Sequence, residues 1–379
     1  MNDSDQRITR RRLLRSAVVG GSGLLAAYLV GCGGDEEPRV NATPAVTPTL
    51  AGPGVTGGST PALTASPIPT TLRWDRLDIA GAAPPPRRDH SLVTDGTSIF
   101  LFGGRGASGE LNDLWTYDLA SGVWTEINSP NPPSARFGHN AVYSEVDSRM
   151  VIFGGQAGSQ FFGDTWAFTP DADSWAESEI PGDSPAARYG AAATHDPSGR
   201  LIVSHGFTSS GRFDDTWALA LFTSNWTELA RKAERPVERC LVRGVWDSGA
   251  NRFLIFGGQS NQAPFLGDLW SFDGASWTEI DFGDGPAPRT LYSMVYDGGS
   301  TRVMLFGGAT ADGATNDLWF LDTQENEWSQ QSPEGDAPSP RSGHDSIWLP
   351  EARSLFVFGG RGEAGDLDEM WRLFVPFDE

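Results

Sequence analysis

From residue 74 to residue 374 the chain repeats one hydrophobic pattern six times. A run of apolar residues ends in a glycine pair at 103–104, 154–155, 257–258, 307–308 and 359–360, with His205-Gly206 in the remaining slot. Counted from the first member of each pair, the intervals are 51, 51, 52, 50 and 52 residues. An acidic residue two positions before a tryptophan recurs as Asp113/Trp115, Asp164/Trp166, Asp215/Trp217, Asp268/Trp270, Asp317/Trp319 and Glu369/Trp371. A second tryptophan falls at 124, 175, 226, 277 and 328, spaced 51 throughout. With Trp74 included, these positions account for twelve of the fourteen tryptophans, so the period governs the large residues that fill a core.

Each unit predicts four strands. The first starts at an Arg-x-x-His-like run, as in Arg136-Phe137-Gly138-His139. The second is the apolar run into the glycine pair, the third carries Asp-Leu-Trp, and the fourth carries the second tryptophan. Asp-Gly and Asn-Gly style turns separate them. Four short antiparallel strands cannot bury both faces alone, so the units must pack against one another around an axis. The last unit stops after Trp371-Arg372-Leu373-Phe374 without a fourth strand, while an orphan strand, Leu72 to Leu77, precedes the first. Trp74 lies 50 residues before Trp124, where the missing tryptophan belongs. The N-terminal strand is therefore expected to complete the last blade and leave no terminal edge open.

Hydrophobics running into Gly-Gly, then two large aromatics at fixed separation, resemble the kelch repeat of the galactose oxidase/kelch superfamily. The resemblance covers about four-fifths of the chain. It implies an all-β protein, a six-bladed kelch-type β-propeller whose last blade is closed by the strand around Trp74. The glycine pair permits positive φ where the second strand ends, so His205 predicts altered or mildly strained backbone in blade 3.

Charge narrows the function classes. The formal net charge is −21, from 28 basic and 49 acidic residues. Residues 1–32 hold five Arg and two Asp, leaving 23 positive and 47 negative groups, a net of −24, on the rest. Such a body repels phosphate backbones, and nucleic acid is set aside as a partner. Only Cys32 and Cys240 are present, so no disulfide framework exists.

Thr9-Arg10-Arg11-Arg12-Leu13-Leu14-Arg15 resembles the twin-arginine export motif, and the apolar run Ala17 to Val30 suits a signal segment. Leu29-Val30-Gly31-Cys32 resembles the bacterial lipobox, which implies lipid on Cys32 and a membrane anchor. Twin-arginine export carries folded proteins, often with cofactors, which favours an enzyme slightly without deciding for one. Residues 33–72 are Thr-, Pro- and Gly-rich and uncharged after Arg39, and so read as a solvated disordered linker. At about 3.1 Å per residue its reach is on the order of 100 Å. The expected organisation is a signal segment over 1–32, a linker over 33–72 and the propeller over 73–379, outside the cytoplasm of a bacterial cell, as a monomer.

In an up-and-down blade the 2–3 and 4–1 loops emerge at one end. Six arginines recur there, Arg87, Arg136, Arg188, Arg239, Arg289 and Arg341, one per blade at the start of the innermost strand. In some animal kelch proteins arginines at similar places receive acidic peptides, which implies ligand contacts here. The alternative is a structural pair with the acidic residue of the Asp-Leu-Trp motif at the same end of the sheet. Phe161, Phe162, Phe207, Phe213 and Phe265 place apolar side chains in the loops of blades 2, 3 and 4, either as a surface for a protein or glycan or as plugs under their own loops. His90, His139 and His344 share a repeat position in blades 1, 2 and 6, and would hold zinc or copper only if they converged. No metal or other cofactor is called for. Galactose oxidase needs copper and a Tyr-Cys cross-link, and its ligand set finds no match here. Sialic-acid mutarotases, whose arginines and acids hide within the repeat, keep a sugar-acting enzyme open as the alternative. No nucleophile elbow or phosphate loop appears, so no catalytic residue is named, and the expectation is a binding or scaffolding module.

Overall fold

The computed structural model describes residues 71–221, 224–229 and 234–376. The export motif, Cys32 and the linker up to residue 70 lie outside the described residues. Among the described residues, no helix is long and apolar enough to cross a membrane.

The six repeats form six four-stranded antiparallel sheets. Blade 1 runs Ser91–Thr94, Ser98–Gly106, Gly109–Asp118 and Val123–Ile127, from the axis outward. Blades 2 to 5 repeat that order, starting at Asn140–Ser144, Ala192–His195, Arg243–Asp247 and Ser293–Asp297. Blade 6 takes Asp345–Leu349, Ser354–Phe358 and Met370–Phe374 from the C-terminal end, and Arg73–Arg76 as its outer strand. Trp74 pairs with Leu373, so the ring closes as the repeat count requires.

Six apolar clusters hold the ring, one in each seam between blades. The fourth-strand tryptophan of every blade inserts into the seam with the preceding blade. Trp124 meets Phe358 at 5.4 Å, Trp175 meets Phe102 at 5.0 Å, Trp226 meets Phe153 at 5.1 Å, Trp328 meets Phe256 at 5.5 Å and Trp74 meets Phe306 at 5.0 Å. In each case the phenylalanine is the residue just before the glycine pair. Blade 3 has Ser204 there, and the His205 ring takes the vacated place, edge-on to Trp277 at 5.7 Å. Ser204 Oγ bonds His205 Nδ1 at 2.7 Å. His205 holds φ 64, matching Gly103 at φ 61, so the backbone keeps its course and the side chain bears the left-handed geometry.

The glycine pair serves the seam as well as the turn. The second glycine N–H of each blade donates to the carbonyl of the next blade's repeat arginine, from Gly104 to Arg136 (2.9 Å) round to Gly360 and Arg87 (2.9 Å). A Cβ added at Gly103 would sit 2.8 Å from the Arg136 oxygen. Nearer the axis lies a second ring of left-handed residues, Asp89, Gly138, Gly190, Leu241, Leu291 and Gly343, with φ between 54 and 67. Main-chain hydrogen bonds join Gly138 to Asp89, Gly190 to Gly138, Leu241 to Gly190, Gly343 to Leu291 and Asp89 to Gly343.

Candidate functional site

The repeat arginines face inward. All six are 0–1% exposed, and each knits three strands of its own blade together. In blade 1, Arg87 Nε donates to the Pro85 carbonyl (3.0 Å) and Nη1 to the Gly103 carbonyl (2.9 Å). The guanidinium fork closes on both oxygens of Asp113 at 2.7 and 2.6 Å, and Trp115 Nε1 donates to the same carboxylate at 2.7 Å. Arg136/Asp164, Arg188/Asp215, Arg239/Asp268 and Arg289/Asp317 repeat the fork. Arg341 reaches one oxygen of Glu369 at 2.8 Å and adds Ser339 Oγ at 3.1 Å. Burial pushes the carboxyls of Asp164, Asp268, Asp317 and Glu369 up, but hydrogen bonds and charge from their arginines outweigh it and hold them below the usual range. Of the two readings of the six arginines, ligand contacts or structural pairs with the motif's acidic residue, the geometry is that of the pair, and the ligand-contact reading is corrected: most of their donors are taken up inside the blades.

Two of the loop phenylalanines belong to the brackets as well. Phe162 is buried beneath the Arg136 guanidinium at 4.1 Å, and Phe213 lies beneath Arg188 at 4.2 Å. Phe161 and Phe207 behave differently. Both are half-buried on small hairpins, Gln156–Ala157 with Gln160–Phe161 and Phe207–Thr208 with Gly211–Arg212, and their rings meet edge to face at 5.6 Å across the blade 2/3 boundary. Phe265 is half-buried in blade 4.

Residues not singled out in the sequence extend this pair into a rim. Phe137 and Tyr189, each directly after a repeat arginine, meet at 5.2 Å. Tyr189 is bridged through the main chain to Phe207. Arg105 lies over Phe137 at 5.6 Å, and Arg212 lies over Phe207 at 5.6 Å. The position after the repeat arginine holds Arg88, Phe137 and Tyr189 in blades 1 to 3 but Cys240, Thr290 and Ser342 in blades 4 to 6. That asymmetry is written in the sequence, inside the start motif, and was the available signal.

At the axis, Arg243 of blade 4 faces Asp345 of blade 6 at 3.6 Å, with side chains 28% and 14% exposed. Burial raises the Asp345 carboxyl against the pull of Arg243. The three histidines do not converge on a metal site and occupy separate seams. His139 shares a hydrogen bond with Ser91 Oγ (2.9 Å), His344 with Ser293 Oγ (3.0 Å), and His90 stands edge-on to Phe358 at 5.6 Å. Among the described residues, no three His, Cys, Asp or Glu side chains gather as a metal site requires. Burial, then nearby arginine charge, lowers His139 and His344 to about 3.

The profile described as KLHDC2/KLHL20/DRC7 Kelch-repeats domain matches residues 68–247 and 232–376. The chain is 27% identical to "Putative adagio-like protein 2" of Oryza sativa subsp. japonica, over 81% of this chain and 53% of that protein. It is 27% identical to "Leucine-zipper-like transcriptional regulator 1 homolog" of Drosophila melanogaster, over 76% of this chain and 31% of that one. With "Acyl-CoA-binding domain-containing protein 4" of Arabidopsis thaliana, identity is 28% over 76% of this chain and 37% of that protein. The chain thus spans about half the length, or less, of these relatives.

Proposed function

The chain belongs to the kelch-repeat family, whose propeller is in general a protein-binding scaffold, and from that premise we propose that it is an exported, lipid-anchored binding module. It engages a protein or a glycan through the 2–3 and 4–1 loop face, over blades 1 to 3. The observation that carries this reading is the asymmetry of that face: the half-buried Phe161 and Phe207, the buried Phe137 and Tyr189 behind them and two stacked arginines gather over blades 1 to 3, while the position after the repeat arginine holds only small side chains in blades 4 to 6. An aromatic cluster with flanking arginines has the composition of an interface core. Lipid on Cys32 would hold the propeller outside the cytoplasmic membrane on its Thr/Pro-rich stalk.

The test is proximity cross-linking in the native host, with wild type against Phe161→Ser/Phe207→Ser. The captured partner is lost from the variant while its melting temperature is kept; a partner retained at full yield would sink the reading. Anchoring is checked by fractionation: Cys32→Ser should leave the membrane fraction. A second reading, an exported sugar-acting enzyme, rests on the partly exposed Arg243 beside the largely buried Asp345 at the axis. Sugar turnover abolished by Arg243→Met would favour it.

A further inference from the structure

Carboxylates are plentiful in this chain, and its arginines mostly find them. Arg88 is tied to Asp366 (2.7 Å), Arg200 to Asp196 (2.6 Å), Arg235 to Asp214 (2.6 Å) and Arg252 to Asp247 (2.9 Å), besides the six buried brackets. Arg105 and Arg212 are different. Arg105 stacks on Phe137 and acts on Asp89 only through space. Arg212 stacks on Phe207 and gives its terminal donors to neutral amides, Asn261 Oδ1 and Gln259 Oε1 (3.0 Å for the latter). Its Nε is buried with no acceptor among the described residues. Glu110 stands across the strand from Arg105, but its Oε1 accepts from Gly158 N (3.2 Å). With 49 acidic residues against 28 basic ones in the chain, two guanidinium groups that form no ion pair among the described residues, both stacked on the same aromatic rim, mark where an outside anion fits.

The surroundings specify the rest of that ligand. Ser159, Gln160, Ser209, Ser210, Asn261 and Gln262 are exposed around the rings. Hydroxyls and amides at this density suit a ligand that offers many hydroxyls, and the half-buried Phe161 and Phe207 rings suit the apolar C–H face of a sugar ring. The net charge of −21 sets a limit in the other direction: a densely charged polyanion is repelled by the body as a whole. We infer that the rim of blades 2 and 3, between Arg105 and Arg212, binds a largely neutral glycan bearing isolated carboxylates, such as an oligosaccharide with a single uronate. The inference rests on the binding-module reading and narrows its occupant.

Titration calorimetry on the full chain tests it with four probes: a tetrasaccharide carrying one glucuronate, its methyl ester, a fully charged polyuronate, and a glutamate-rich hexapeptide. The acid is bound at least about tenfold tighter than its ester, a difference of about 1.4 kcal/mol, and tighter than the polyuronate. Arg105→Gln and Arg212→Gln erase the preference for the acid with unchanged melting, while Phe207→Ala weakens acid and ester together. Equal affinity for acid and ester overturns the inference, as does preference retained by both arginine variants. Binding of the peptide in place of the sugar, or of no probe, overturns the glycan while the binding module keeps its own cross-linking test. Sugar binding that survives Phe161→Ser/Phe207→Ser lies elsewhere and overturns both.

Discussion

One end of this propeller carries two kinds of arginine. The six that repeat are sealed within their blades, each on a carboxylate and a glycine or histidine carbonyl. Arg105, which recurs only as Arg361 of blade 6, and Arg212, which does not recur, lie partly open on phenylalanine rings and form no ion pair among the described residues, although Glu110 stands across the strand from Arg105. A position kept in every blade answers a demand every blade shares, which is holding three strands and a seam. Closure imposes no such demand on a residue found in only one or two of the blades. Periodicity in this chain therefore marks support, and departure from it marks where recognition can be built.

The largest difference in stability comes from removing one arginine of each kind. Arg188→Met leaves Asp215, 7% exposed at its side chain, without its cation in the most buried of the brackets. Breaking a buried pair from one side costs about 3–5 kcal/mol. Arg212→Met removes a partly open cation whose partners are neutral amides, and should cost no more than about 0.5 kcal/mol. Urea unfolding of the two variants checks the contrast; equal losses would erase the distinction between bracket and rim.

Acid attacks the repeated interior before the rim. His139, His205 and His344 titrate near 3 in the folded protein against 6.5 when unfolded, because burial excludes their charged forms. Between those values the unfolded chain binds protons that the folded one refuses, so stability is full above about pH 6.5 and falls as the pH drops toward 3. Each histidine contributes about 1.4 kcal/mol per pH unit in that window. The bracket carboxylates, held below their usual values, add a loss of the same sign at still lower pH. His139→Gln should flatten the pH dependence of the urea midpoint between pH 6 and 4, whereas Arg212→Gln leaves its slope unchanged.

Blade 3 departs from the common pattern within the repeat itself. Its Ser204-His205 replaces the Phe-Gly of every other blade, and the imidazole fills the seam against Trp277 that phenylalanine fills elsewhere. His205→Gly alone opens that space and should cost about 2 kcal/mol, even after relief of the left-handed strain. Ser204→Phe alone overpacks the seam by a similar amount. Together they restore the common pattern, and a coupling energy of about 1–2 kcal/mol should appear in the double-mutant cycle. Strict additivity would mean that the two residues are independent accidents.

The sequence disclosed the frame of this molecule and much less of its face. Blade number, strand order and closure through Trp74 follow from spacing, because tryptophans every 51 residues fill equivalent seams. His205 announced itself as an exception. Spacing could not say which way the repeat arginines turn, since a buried bracket and an exposed ring of cations have the same period. Phe161 and Phe162 are adjacent in sequence, yet one belongs to the surface and the other lies beneath Arg136. Phe137 and Tyr189 were hidden inside the start motif, where the eye follows the arginine, and their meeting depends on two neighbouring blades.

The smallest stability effect is the most informative about function. Phe161→Ser and Phe207→Ser remove half-buried rings that lie on short hairpins outside all six seam clusters. Their combined cost should stay below about 1 kcal/mol, because no seam loses its packing. Phe162→Ser, one residue away from Phe161, removes the ring beneath Arg136 and should cost about 2 kcal/mol or more by opening a bracket. If Phe161→Ser and Phe162→Ser proved equally harmful in thermal melts, the rim would be part of the scaffold. If Phe161→Ser is nearly silent, the chain keeps a large apolar side chain at its surface without needing it for stability, and recognition is the remaining physical reason to place it there.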